Sequence, residues 1–201
     1  SYMDSMLAGM NSQFISFIIR PPRNSYPKDN LGTKLINDDE LSYKITHLEI
    51  KNPKGETMQC SFVEPPDDKR TSAQLPCVIY MHGNGGNKLE GLFSYTELIL
   101  QAGMTLFCFD FSGCGQSEGA WVTLGWKEVE DLSAVVAYLL SLGSVSKIAF
   151  WGRSMGAATA LMHQATNNSA CALICDSSYA CLLDLVVSMG LKMGLPPEMS
   201  Q

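Results

Sequence analysis

The 201-residue chain is 46% hydrophobic and 17% charged, which is the composition of a globular domain with a sizeable core. Its net charge of −6 and the absence of a basic patch argue against a nucleic-acid-binding protein. No stretch reaches the roughly 18 consecutive apolar residues that a membrane-spanning helix needs.

The cysteines predict a reducing environment. There are seven of them, an odd number, and most lie inside apolar runs such as "LFCF" and "CALIC". This pattern is typical of buried reduced thiols and predicts a cytoplasmic protein. Only three histidines are present and no two cysteines have two-residue spacing, so we expect no metal site and no cofactor.

The N-terminal residues 1–42 are predicted to form an entry segment ahead of a domain at 43–201. The stretch "MLAGMNSQFISFIIR" lacks a basic leader, so it does not match a signal peptide. Five apolar residues fall on one helical face: Leu7, Met10, Phe14, Phe17 and Ile18. That face either packs on its own domain or rests on a membrane surface as a peripheral contact. The proline-rich "RPPRNSYPKDNLG" (20–32) ends any helix and is predicted to cross the surface.

Two segments with alternating apolar and polar residues predict an antiparallel hairpin. "YKITHLEIKN" (43–52) alternates clearly and "TMQCSFVEP" (57–65) less cleanly, with the turn signal "NPKG" between them.

The pattern then changes to short apolar runs separated by helical periodicity. Such runs indicate strands buried on both faces of a parallel sheet. The runs lie at 77–81, 105–109, 147–151 and 172–175, and the helical stripes at 89–102 and 126–142. We therefore predict an α/β fold, in which helices cover both faces of a mostly parallel sheet and the hairpin lies at one edge.

The stretch "WGRSMGAATA" places a serine in a sharp turn between a predicted strand and a predicted buried helix. Gly152 and Gly156 flank Ser154 at two residues' distance, where larger side chains would collide with their neighbours. The turn would raise the hydroxyl above the C-terminal edge of the sheet, where α/β sheets bind ligands. It predicts Ser154 as a nucleophile and the Met155 amide as an oxyanion donor. The alternative is a turn in which the serine only caps the helix.

The stretch "MHGNGGN" follows the first buried strand. Gly83, Gly85 and Gly86 allow the backbone to approach a ligand closely, and the Asn84 amide is predicted as the second oxyanion donor. His82 could be a base, but a structural role in holding the loop is the preferred interpretation. A phosphate-binding loop is disfavoured because the Gly-Lys-Ser/Thr ending is missing.

The stretch "DFSGCGQSEG" follows the next strand and contains no strong base. Asp110 is predicted to hold loops through hydrogen bonds. Cys114 is interpreted either as a reactive thiol or as a turn thiol without a mechanistic role.

Together, "HGNGG", "DFSGCGQSEG" and "GRSMG" resemble the oxyanion loop, the following loop and the nucleophile elbow of the α/β-hydrolase superfamily. The resemblance covers about residues 43–190. Within the superfamily the chain looks most like acyl-protein thioesterases, lysophospholipase-like proteins and serine aminopeptidase-like proteins. "RPPRNSYPKDNLG" is similar to the entry segment of the depalmitoylating branch, although the cysteine-rich N-terminus usual there is missing before Cys60.

The resemblance implies a serine hydrolase that cleaves carboxylic esters or thioesters through an acyl-enzyme at Ser154. It implies small-molecule or lipid-like acyl substrates, or an acylated protein. A serine peptidase is an alternative of the same class, and a non-catalytic binding or scaffold protein is an alternative of another class.

The family order of nucleophile, acid and histidine is not completed in this sequence. The histidines are His47, His82 and His163, and none follows the last predicted strand. His163 lies roughly 13 Å along the helix after Ser154 and is predicted to be partly exposed. Asp176, at the end of the last strand, is either the triad acid or a loop-fixing residue.

Three interpretations of the missing residues stay open. The chain is a fragment without its C-terminal strands and inactive or weakly active, or a second chain supplies them, or it is a short inactive scaffold. A fragment would expose a sheet edge and apolar surface, which predicts self-association or domain swapping.

Overall fold

In the computed structural model, residues 14–27, 43–192 and 194 are described, and they form a six-stranded sheet with helices on both faces. The strands are β1 (Lys44–Lys51), β2 (Thr57–Glu64), β3 (Leu75–Met81), β4 (Thr105–Phe109), β5 (Val145–Arg153) and β6 (Ala172–Asp176). The helices are α1 (residues 14–19), α2 (Leu89–Gln101), α3 (Glu128–Ser141), α4 (Met155–Asn167) and α5 (Leu182–Lys192), with a 3-10 turn at Asp67–Lys69.

The strand order β1-β2-β4-β3-β5-β6 places the hairpin at one edge of the sheet, as predicted. β1 pairs with β2 in antiparallel fashion, and β2 is also antiparallel to β4. The neighbouring pairs from β4 through β3 and β5 to β6 are all parallel. The predicted α/β fold with a mostly parallel sheet is therefore confirmed.

The central strands are buried on both faces because successive side chains point to opposite sides of the sheet. On one face Ile79 and Phe107 belong to the larger apolar core. On the other face Val78 and Leu106 pack in a second core beneath α2. Each face thus buries an apolar layer, which explains why β3 and β4 do not alternate in sequence.

Strand β6 departs from the prediction of burial on both faces. Four of its five residues are exposed, and Ile174 keeps 49% of its surface in contact with solvent. No described strand pairs with its outer edge. The prediction was wrong here because an apolar run indicates a buried strand only when neighbouring elements cover it.

The cysteines also divide into a buried group and an exposed group. Four are buried, as predicted: Cys60, Cys77, Cys108 and Cys114. The prediction is wrong for Cys171, Cys175 and Cys181, which are exposed on β6 or beside it. All seven thiols are free.

The N-terminal residues 14–27 pack against the domain. Ile18 and Tyr26 are buried, so the predicted surface crossing at 20–32 is wrong for Tyr26. Phe14 packs against the core, whereas Phe17 remains half-exposed. The other residues of the predicted helical face, Leu7 and Met10, lie outside the described residues. Among the described helices, none is long and apolar enough to cross a membrane.

Candidate active site

Ser154 occupies the sharp turn between β5 and α4. Its backbone angles are φ +51° and ψ −110°. A residue that has a side chain adopts this conformation only at a cost in free energy. The Ser154 N–H donates to the Asp176 carbonyl oxygen at 2.8 Å, and its own carbonyl accepts the Ala158 N–H at 3.0 Å. The end of β6 and the first turn of α4 therefore hold this strained residue in place.

The two flanking glycines have no room for a side chain. A Cβ built on Gly152 would lie 2.3 Å from the carbonyl oxygen of Gly156. A Cβ built on Gly156 would lie 2.2 Å from the carbonyl oxygen of Met81, at the end of β3. These contacts are with backbone atoms, so only glycine fits at both positions.

The loop after β3 lies directly against Ser154. A Cβ built on Gly83 would be 3.7 Å from the Ser154 Cβ. The Gly86 N–H donates to the Gly83 carbonyl at 3.0 Å, and Gly85 has a φ of +73°, which suits a residue without a side chain. The loop that contains the predicted donor Asn84 therefore lies beside the serine, and the buried Met155 follows the serine at the start of α4. The oxyanion role of both amides stays a prediction.

Both ring nitrogens of His82 form hydrogen bonds to the backbone. The Phe111 N–H donates to Nε2 at 3.1 Å, so the ring proton is on Nδ1 and donates to the Gly83 carbonyl at 2.7 Å. Burial lowers the pKa of His82, which keeps the ring neutral. Both nitrogens join the loops after β3 and β4, and neither is free to accept the serine proton.

The other two histidines also lie away from Ser154. His47 is on β1, four strands from β5 and roughly 19 Å away at the usual strand spacing, with its Nδ1 2.8 Å from Ser61 Oγ. His163 was predicted to be partly exposed, but only 2% of it is. That prediction is wrong because the face of α4 that carries His163 packs on β5, with its ring edge-on to Phe150 at 5.4 Å.

Asp176 is adjacent to Ser154 through its backbone rather than its carboxylate. Oδ1 accepts the Ser177 hydroxyl at 2.7 Å, and Oδ2 is 3.8 Å from Arg153 Nε. The side chain is exposed beside this arginine. Its role as the triad acid stays a prediction.

Asp110 joins the segments around the site. Its buried carboxylate accepts hydrogen bonds from the Lys88 N–H at 2.7 Å, the Gln116 N–H at 2.8 Å and the Tyr26 hydroxyl at 2.6 Å. Burial raises the pKa of Cys114 in the same loop to about 12, which leaves almost no thiolate at neutral pH. This favours the interpretation of Cys114 as a turn thiol.

The N-terminal segment is the part of the site that the sequence reasoning missed. The Asn84 side-chain amide donates to the Ile18 carbonyl at 2.9 Å, and that of Asn87 donates to the Asn24 carbonyl at 2.8 Å. The Val122 N–H donates to the Ile19 carbonyl at 2.8 Å. These bonds use backbone carbonyls, which leave no pattern in a sequence. The only indication in the sequence was Tyr26, a large apolar side chain within the proline-rich stretch, which could have suggested that this stretch packs on the domain.

The described residues contain no group of three or more histidine, cysteine, aspartate or glutamate side chains placed to hold a metal ion.

Curated relatives match part of the chain. The protein YqkD of Bacillus subtilis is 32% identical over 139 residues, which are 68% of this chain and 43% of that protein. The protein R595 of Acanthamoeba polyphaga mimivirus is 25% identical over 126 residues, covering 58% and 38% of the two chains. The chain thus spans less than half the length of the curated relatives it matches.

Solved structures give longer matches. The Pyrococcus furiosus esterase Pf2001 superposes with a TM-score of 0.67 and 26% identity, over 90% of this chain and 64% of the esterase. Est1E of Butyrivibrio proteoclasticus, solved with ferulic acid, gives a TM-score of 0.61 and 25% identity over 75% and 61%. The family model described as alpha/beta hydrolase fold matches residues 76–191. With that match and this geometry, the chain belongs to the α/β-hydrolase fold family.

Proposed function

We propose that the protein is a serine hydrolase that cleaves carboxylic esters or thioesters through an acyl-enzyme at Ser154. The observation that carries this proposal is the strained backbone of Ser154 at φ +51°, held between β5 and α4. Strained backbone conformations of this kind are concentrated at active sites and ligand-binding sites, where the fold holds a functional side chain in place. The similarity to the esterase Pf2001 supports the same reaction class.

In the proposed mechanism the Ser154 hydroxyl oxygen attacks the acyl carbon while a base removes its proton. The carbonyl oxygen becomes negatively charged, and the amide N–H groups of Asn84 and Met155 donate to it, each contributing about 3 kcal/mol of transition-state stabilisation. The bond to the leaving alcohol or thiol then breaks, and the leaving group takes up the proton. Water subsequently releases the acyl group from the serine.

In this proposal the base is an imidazole from outside these 201 residues. A serine hydroxyl attacks poorly without a neighbouring histidine, and none of His47, His82 and His163 is placed to serve. We propose that a further segment supplies the histidine and, if Asp176 is not the acid, the acid as well. The short coverage of the relatives, 43% and 38%, supports this view.

A fluorophosphonate probe tests the nucleophile in the full-length gene product that contains this chain. We expect the wild-type protein to be labelled and to hydrolyse esters, and Ser154→Ala to lose both properties. Ser178→Ala, which changes a nearby exposed serine, is the matched control and should label normally. The 201-residue chain alone is expected to show little or no turnover.

Two results would contradict the proposal. Labelling that persists in Ser154→Ala would move the nucleophile to another residue. Absence of both labelling and ester turnover in the full-length protein would favour a non-catalytic binding module on the same fold.

A further inference from the structure

A large apolar cavity lies between α1, the loop 121–124 and α5. Its volume is about 530 Å³, within the range of small-molecule binding sites. Ile15, Ile18 and Ile19 line it from α1, Val122 and Leu124 from the loop, and Leu182 and Val186 from α5. Arg20 is the only charged residue among the described lining residues.

One wall of this cavity is hydrogen-bonded to the proposed oxyanion loop, and a second is hydrogen-bonded to the segment before α5. The Ile18 carbonyl accepts the side-chain amide of Asn84, the proposed oxyanion residue, at 2.9 Å. The Tyr179 hydroxyl, from the segment between β6 and α5, donates to the Leu124 carbonyl.

Gly125, which follows the loop 121–124, lies against α4. A Cβ built on Gly125 would be 3.3 Å from the Ala158 Cβ. Ala158 lies one helical turn from Ser154 and donates its N–H to the serine carbonyl. The cavity is therefore linked to the oxyanion loop through Ile18, and the residue that follows Leu124 contacts the first turn of the helix that begins at the serine.

We propose that this cavity holds the apolar acyl chain of the substrate. This inference rests on the proposed function, and it adds a substrate class: esters or thioesters of aliphatic acids. A polar or charged acyl group would lose hydrogen bonds to water on entering walls of this composition. Each methylene that is buried instead favours binding about fourfold. The ester series below keeps the leaving group constant, so a dependence on chain length assigns the cavity to the acyl chain.

The first test is a chain-length series of p-nitrophenyl esters, from acetate to decanoate, with the full-length gene product. We expect kcat/KM to rise about fourfold per methylene until the cavity is full. Leu182→Trp places a larger ring in the cavity and should abolish the preference for the longer esters. Leu183→Trp is the matched control, since Leu183 neighbours it on α5 and does not line the cavity.

The second test measures binding without catalysis. Calorimetric titration of Ser154→Ala with decanoate should show binding that Leu182→Trp weakens at least tenfold and that Leu183→Trp leaves unchanged.

The outcomes separate the two proposals. Ser154-dependent turnover that is independent of chain length, together with no decanoate binding, overturns the cavity assignment and leaves the hydrolase proposal standing. Decanoate binding that is sensitive to Leu182→Trp, in a protein without esterase activity, supports the cavity assignment and contradicts the hydrolase proposal.

Discussion

Asp131 is a buried carboxyl group whose ionised form destabilises the folded state at neutral pH. Only 2% of the residue is exposed. It accepts the Ser112 N–H and the Asn52 side-chain amide, each at 2.9 Å. Burial is the largest influence and raises its pKa to about 6, and the nearby charge of Glu128 acts in the same direction. The hydrogen bonds from Asn52 and Ser112 lower the pKa, but by less than burial raises it.

This raised pKa predicts a pH-dependent stability. The folded protein binds the Asp131 proton more tightly than the unfolded chain does. The associated stabilisation is complete below about pH 4 and is lost as the pH rises through about 6. Asp131→Asn should flatten the free energy of unfolding, measured by urea denaturation, between these pH values. Glu130→Gln, an exposed neighbour, should keep the wild-type slope; an equal slope in Asp131→Asn would contradict the assignment.

The sequence was a better guide to the residues of the turn around Ser154 than to the tertiary contacts around it. Gly152, Ser154 and Gly156 were predictable because their constraint is local: a strand, a sharp turn and a helix within a few residues. The burial of His163 was not predictable, because it depends on which face of α4 meets Phe150. The bond between Asn84 and Ile18 joins residues 66 positions apart, and no local pattern encodes it.

At the scale of elements, the N-terminal segment 14–27 behaves as a clamp across the loops that follow β3 and β4. Its contacts include the Asn87 bond to Asn24 and the bond from the Gln116 side-chain amide to the Tyr26 carbonyl at 2.6 Å. The Arg20 guanidinium lies 5.4 Å from the centre of the Trp121 ring. The segment was predicted as an entry region whose helical face packs either on its own domain or on a membrane surface. The proline-rich part that follows this face has no periodicity, so it gave no indication of the loops that it contacts.

The clamp can be tested through its buried tyrosine. Burial, followed by the charge of Asp110, raises the pKa of Tyr26, so its hydroxyl stays protonated and donates to that carboxylate. Tyr26→Phe should lower the free energy of unfolding by about 1.5–3 kcal/mol, the usual value for a bond to a charged group.

Tyr43→Phe is the matched control for this experiment. The Tyr43 hydroxyl is buried and has no hydrogen-bond partner in the described part of the chain. Its removal should be neutral or slightly stabilising. Equal losses in the two variants, measured by chemical denaturation, would show that the Tyr26 bond adds nothing.

At the scale of the whole molecule, the alternation of helices and apolar runs was enough to predict an α/β sheet with a hairpin at one edge. The exposure of β6 was not predictable, since "ALIC" has the same composition as a covered strand. Whether such a strand is covered depends on the elements beside it, and the described sheet has none on that side.

This surface predicts association of the 201-residue chain. Ile174 on β6 and Leu183 and Leu191 on α5 are all 46–61% exposed, and no described strand pairs with the outer edge of β6. Sedimentation velocity should show larger species as the protein concentration increases, and Ile174→Lys should reduce them. Leu140→Lys, at an equally exposed leucine on α3, should not, and a monomer at every concentration would contradict the prediction.

The uneven distribution of the thiols has a practical consequence. Maleimide applied to the native chain should modify Cys171, Cys175 and Cys181, and the other four thiols should react only after unfolding. The number of adducts in a mass spectrum would then report how far this side of the molecule is shielded. The same reagent would reveal shielding by a second copy, by a partner or by additional sequence, without any engineered label.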